Sequence, residues 1–392
     1  MQTFLEVACD ESGWSGTNLL DIDNPVLTHA SVHLDTADAA AFVSEVRARF
    51  PYSAVEYKAA QLRQPAIEWL LGPSGPLAGN AHVHLTDKTY FAVRKIVELF
   101  VGVPGYLAAT SLDPDRRSGT LALTLHHHGP AAYGPERWQA FLRSFVTLLR
   151  TKRRQWLVGA HVDAFFGRVE ELVAPGEVGE IMGLVRAGRA RMDSLPTRLL
   201  HDPGLPPPLE PLIPALLETA RYWCDRGGRV TVVHDEQSAL TRNRIRQIQH
   251  LLDGRLHAVR RVDSRTDPRV QVADFLAGAA RRIASAELRG QGDDDLTALL
   301  RPYVDPHSIW ADNPSWSRLA PAVPAPAVPA AAAPGLARGG GRRLVTFEAG
   351  HMPLEVELDR HARPGPVVGR KPALPSAPAR GQTASRELTA GS

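Results

Sequence analysis

Four acidic residues, Asp10, Glu56, Asp235 and Asp274, share one setting: each closes or interrupts an apolar strand-like run, or opens a helix of small and apolar residues. Asp10 ends FLEVACD, Glu56 sits in AVEYK, Asp235 ends VTVVHD, and Asp274 lies in the first turn of QVADFLAGA. A carboxylate beside a core must be compensated, because desolvating a charge costs roughly several kcal/mol. Several carboxylates aimed at one place repel each other unless a cation lies between them. Hard oxygen donors of this kind suit Mg²⁺ or Mn²⁺. Two such ions about 4 Å apart clamp the attacking and leaving oxygens of a displacement at phosphorus. The chemistry to expect is metal-dependent phosphodiester hydrolysis, with a metal between Asp10 and Asp274 and with Glu56 and Asp235 completing its shell.

Each acid also has an ordinary reading. Asp10 and Glu11 can begin a turn. Glu56 can pair with Lys58, two residues on and on the same strand face. Asp235 can cap a helix over 237–252. Asp274, inside an apolar helix face, is the hardest to explain that way. His126–His127–His128 follow TLALTL and read as a strand end or loop, and His234 as a strand-end packing residue. Arg242, Arg244 and Arg246, and Lys152–Arg153–Arg154, are surface charges of the kind that meet phosphates.

The elements that must position the acids follow from periodicity and capping. Thr3–Asp10, Pro25–Leu34, Ala54–Lys58, Ala81–Leu85, Arg229–His234 and His257–Val262 read as strands. Helices are predicted over Ala37–Phe50, Gln64–Leu71, Tyr90–Val101, Arg137–Arg150, Trp156–Val173, Glu177–Arg189, Pro214–Arg226, Gln237–Leu252 and Val270–Ser285. Gly227–Gly228 supplies a left-handed stop, and Asp87 or Thr86 a start. Strands and helices alternating at this spacing predict an α/β layered fold over residues 1–290. A helical insertion over about 103–210 lacks a core of its own, and a short extension covers 291–318.

Composition changes after Trp316, where much of the chain's 32 prolines collect. Leu319–Ser392 carries 9 Lys+Arg against 5 Asp+Glu, so the basicity lies in the tail and the body has no excess of positive charge. That Pro/Ala-rich stretch cannot bury a core and is expected to be largely disordered, an arm for a protein partner. Two cysteines, Cys9 and Cys224, allow no disulfide framework or zinc pattern. The N-terminus has no basic region before a short apolar run, and no stretch of about 18 apolar residues occurs, so no membrane span is expected and a cytoplasmic setting fits.

DESG at 10–13, E-x-K at 56–58, HLTDK at 84–88, VVHDE at 232–236 and DSRTDPRVQVADFLAG at 263–278 together resemble the domain-of-unknown-function 3800 family, over roughly residues 3–288. The resemblance implies a ribonuclease H-like mixed sheet flanked by helices, with acids on central strands and a late helix. Position by position it marks Asp10, Glu56 with Lys58, Asp235 and Asp274 as the site, with Glu11, Ser12, Glu236 and Gln271 beside them. Gln271 lies one turn before Asp274 and is placed to orient it or hold a water. Lys58 would neutralise charge near a scissile phosphate. The chain departs from the family pattern at His234–Gln237, where an arginine often follows the acids, and in its long insertion.

The functional expectation is a divalent-metal-dependent nuclease acting on nucleic acid. The alternative is a non-catalytic ribonuclease H-like binding module of a mobile-element or defence system.

Overall fold

A computed structural model describes residues 4–14, 16, 18–50, 62–73, 75–102, 116–150, 158–192 and 208–321. Glu56, Lys58, the predicted strand Ala54–Lys58 and the Pro/Ala-rich tail lie outside the described residues.

Five strands form one sheet. They are β1 (Leu5–Ser12), β2 (Val26–Val32), β3 (Ala81–Asp87), β4 (Val230–Asp235) and β5 (Leu256–Val262), in the order β3-β2-β1-β4-β5. β2 runs antiparallel to β1 and β3, whereas β4 is parallel to β1 and to β5. The architecture is the mixed α/β sheet flanked by helices that the strand–helix alternation predicts.

Strand alternation sends successive side chains to opposite faces. On one face Ala8, Ala30, Val32, Val83, Leu85 and Val233 pack under the small-residue side of a long helix, Pro268–Leu288. Thr36–Arg49 (α1) and Gln64–Leu71 (α2) complete that layer through Phe42, Val46, Ile67 and Leu70. On the other face Val7, Cys9, Val230 and Val232 meet the helix Leu212–Gly227 through Leu216, Ala220 and Trp223.

Helix α3 (Lys88–Phe100) starts where β3 ends, because Asp87 accepts hydrogen bonds from the N–H groups of Thr89 and Tyr90. The insertion follows as α4 (Arg116–Tyr133), α5 (Pro135–Leu149), α6 (Val158–Leu172) and α7 (Glu177–Ala187). Its Phe141, Phe145, Phe165 and Phe166 pack against Phe100 in a hydrophobic cluster shared with α3 and with Ile309 of the C-terminal extension. TLALTLHHH is helical rather than a strand end: its buried residues Ala122 and Leu125 are three apart, the helical spacing.

The remaining elements are α8 (Leu212–Gly227), α9 (Arg242–Leu251), α10 (Pro268–Leu288), α11 (Asp294–Leu300) and α12 (Asn313–Leu319). Helix α9 starts five residues later than Gln237 because Thr241 is its cap, accepting from the Arg244 N–H. The C-terminal extension is built into the sheet. Asp305 N and Ile309 N donate to the carbonyls of Val83 and Leu85, each at 2.8 Å, so the free edge of β3 is covered. Leu296, Leu300, Tyr303, Val304 and Trp310 join the core under α10. Among the described residues no helix is long and apolar enough to cross a membrane.

Candidate functional site

Alternation along β1 and β4 sorts the acids. Asp10 follows Ala8 by two residues and Asp235 follows Val233 by two, so both share the α10 face. Cys9 pairs with His234 across the parallel strands, which sets Asp10 and Asp235 side by side one residue further on. Asp274 approaches the same face from the second turn of α10. Site residues gathered at the carboxyl ends of parallel strands follow the common rule for open α/β sheets.

Asp10 is 7% exposed. Burial drives its carboxyl pKa well above the usual carboxylate range, and the charges of Glu11, Asp274 and Asp235 push it further in the same direction. The Glu11 N–H donates to Asp10 Oδ1 at 2.8 Å and pulls the other way. Asp235 and Asp274 thus both act on Asp10.

Asp235 is not a helix cap. Its Oδ1 accepts the backbone N–H of Ser264 at 3.0 Å, joining the end of β4 to the turn after β5. Gln271 supports that junction instead of Asp274: its Nε2 donates to the Ser264 carbonyl at 3.0 Å. Its buried Oε1 has no hydrogen-bond partner among the described residues. Glu11 points to the opposite face, where Oε1 accepts from Gln237 Nε2 at 2.5 Å and Oε2 lies 3.7 Å from His234 Nε2. Ser12 Oγ accepts from Arg281 Nε at 2.9 Å. Glu236 is exposed beside the site.

The acids offer hard oxygen donors, the type that suits Mg²⁺ or Mn²⁺, and the charges of Asp235 and Asp274 both raise the pKa of Asp10. Among the described residues, however, no group of three His, Cys, Asp or Glu side chains is gathered closely enough to hold a metal ion. Glu56, the fourth predicted ligand, lies outside them.

Two features escaped the sequence reading. One is a row of buried histidines, His29, His82 and His84, that joins the strand-end His234 behind the acids, each at most 1% exposed. Burial holds His29 well below, and His84 at about 4, against the ordinary histidine range. The alternation in THASVH and AHVHL was the available signal. The other is Arg281, which nothing in the local sequence separates from Arg282.

Comparison with protein-family models, with curated proteins and with solved structures finds no match.

Proposed function

We propose that the acidic face is the centre of a divalent-metal-dependent phosphodiesterase acting on nucleic acid, in a ribonuclease H-like domain. One observation carries the reading: Asp10 is buried among like charges from Glu11, Asp235 and Asp274, an arrangement that disfavours its own ionisation unless a cation is supplied. Asp10, Asp235 and Asp274, with Glu56, would hold Mg²⁺ or Mn²⁺. A bound ion of this kind activates water and neutralises charge at phosphorus. The protein's own part is to hold the carboxylates. The Glu11 N–H fixes Asp10, and the Ser264 N–H, itself anchored by Gln271, fixes Asp235. Lys58 is assigned to charge neutralisation near the scissile phosphate. Two free, buried cysteines accord with a cytoplasmic setting, and the basic tail is assigned to a protein partner.

The test is incubation of the full chain with Mn²⁺ or Mg²⁺ and labelled single- and double-stranded DNA and RNA. Cleavage by wild type that is lost in Asp10→Ala and Asp274→Ala supports the proposal. Identical behaviour of all three proteins on every substrate removes it. The second reading, a non-catalytic binding module, draws on the absence of a ready three-ligand group among the described residues. It predicts nucleic acid binding without cleavage.

A further inference from the structure

We infer that Arg281 binds a backbone phosphate of the nucleic acid, one nucleotide away from the phosphate held at the acidic face. The inference rests on the phosphodiesterase reading and adds a substrate contact to it. Arg281 follows Asp274 by seven residues, two turns along the same side of α10, or about 10 Å of helix axis. Helical side chains lean toward the N-terminus, so that of Arg281 leans back toward Asp274. Its guanidinium reaches the end of β1, donating from Nε to Ser12 Oγ at 2.9 Å and from a terminal nitrogen to Asn24 Oδ1 at 2.8 Å. Ser12 stands two residues beyond Asp10, about 6.6 Å along the strand. That is close to the reach of a single nucleotide.

Both acceptors are neutral. Among the described residues no carboxylate pairs with Arg281, although Asp10 and Asp274 lie on the elements it bridges. The Asp21 carboxylate stands behind Asn24, accepting from its Nδ2 at 3.3 Å, and does not meet the guanidinium itself. Burial first, then Arg289, lowers the pKa of Arg281, and Arg281 in turn lowers that of the buried Lys88, against which Asp21 acts. Arg289 spends its bonds on the carbonyls of Ile22 and Asp23, at 3.1 and 2.8 Å. A guanidinium has five N–H donors. Among the described residues two of those on Arg281 are engaged, and the remainder match the paired oxygens of a phosphate.

Gly13 supports the assignment independently. It has φ +83°, and a Cβ there would lie 2.3 Å from the Val26 carbonyl oxygen and 2.7 Å from Arg281 Cδ. The glycine of DESG therefore makes room for the arginine stem at the strand end.

The test is binding without cleavage: fluorescence anisotropy of labelled single-stranded DNA and RNA 12-mers against the full chain in EDTA, over a range of salt. Arg281→Gln is expected to weaken binding roughly tenfold. It should also flatten the dependence of log affinity on log salt by about 0.7, one single-strand phosphate contact. Arg281→Lys should recover part of the affinity. Should Arg281→Gln fail to fold by circular dichroism, the Arg281 Nε–H resonance of the wild-type protein provides the measurement, and it should shift when the oligonucleotide is added. Wild-type affinity and slope in Arg281→Gln, an unmoved resonance, or no binding of either oligonucleotide by wild type overturns the inference. None of these readings depends on catalysis. Loss of binding in Arg281→Gln beside absent cleavage would retain the phosphate contact and remove the nuclease, whereas intact binding beside cleavage would do the reverse.

Discussion

His29 Nε2 and His234 Nε2 lie 3.2 Å apart in the core, and the bond between them fixes both tautomers. His234 Nδ1 faces the Asp235 carbonyl at 3.0 Å, an oxygen that only accepts. His234 Nδ1 therefore carries a hydrogen and donates, and in the tautomer with one proton per ring its Nε2 accepts. His29 must donate from Nε2, which leaves its Nδ1 to accept the Thr219 hydroxyl at 2.8 Å. This chain ties β2, β4 and α8 together directly behind Asp235.

Removing one member of that pair leaves the other with an unsatisfied buried nitrogen. His29→Leu and His234→Leu should each destabilise the protein by about 1–3 kcal/mol. The double variant should cost less than the sum, because neither nitrogen is then orphaned. Urea denaturation of the three variants measures the coupling. Strict additivity would mean that the 3.2 Å contact contributes no coupling energy.

The neutral histidines also set a direction for the dependence of stability on pH. His29 and His84 titrate lower in the fold than in the unfolded chain, where a histidine has a pKa of about 6.5. Their contribution is complete above that value and is lost as pH falls toward about 4, the value for His84. Asp10 works oppositely, since its raised pKa favours the fold on acidification and its contribution is lost as pH rises through that value. Asp87, raised to about 6, and Glu210 act in the same opposing sense as Asp10, so the histidine contribution is read as a difference between proteins. Between pH 6.5 and 4.5 wild type should lose up to about 1.4 kcal/mol per unit more than His84→Gln. Parallel urea-midpoint profiles for the two proteins would show that the His84 ring is not held neutral.

The parts legible in sequence were those with local causes. Apolar runs ending in an acid located β1 and β4, and Asp87 and Gly228 marked real helix ends. What each face meets was less accessible. Alternation along β1 puts Glu11 on the face opposite Asp10, but that His234 and Gln237 meet it there is decided by the packing of distant elements. TLALTL alternates like a strand, yet α3 offers it a helical groove, and tertiary packing prevails over period. Arg281 became visible only when the fold set it against Ser12 and Asn24, 269 and 257 positions away in the chain.

Gln271 acts through Asp235, not through Asp274, and the two roles separate experimentally. Gln271→Ala frees the Ser264 carbonyl and with it the turn whose N–H holds Asp235. If Asp235 ligates the proposed ion, affinity for Mn²⁺ should fall about tenfold or more, as is usual on losing a support behind a ligand. Gln271→Glu, which keeps the size but removes the donor, should behave like the alanine variant. Calorimetric Mn²⁺ titration of the folded proteins distinguishes this from general damage, and unchanged affinity in both variants would detach Gln271 from the site.

Asp10→Asn separates the two consequences of burying that carboxyl. Asparagine keeps an oxygen for the Glu11 N–H, now 2.8 Å from Asp10 Oδ1, and removes a charge repelled by Glu11, Asp274 and Asp235. Metal-free Asp10→Asn should therefore be more stable than wild type at pH 7.5 by about 1–2 kcal/mol, the gain commonly found on relieving a strained functional site. Added Mn²⁺ should reverse the order. An ion that binds only the folded state stabilises it by RT ln(1 + [Mn²⁺]/Kd), about 2.7 kcal/mol at a hundredfold excess over Kd. Wild type should gain this and Asp10→Asn should gain little, so the two melting curves cross as the metal is titrated. Repulsion without a metal site would give the first difference and no crossing. A variant no more stable than wild type, with or without Mn²⁺, would mean that the charges around Asp10 do not oppose one another.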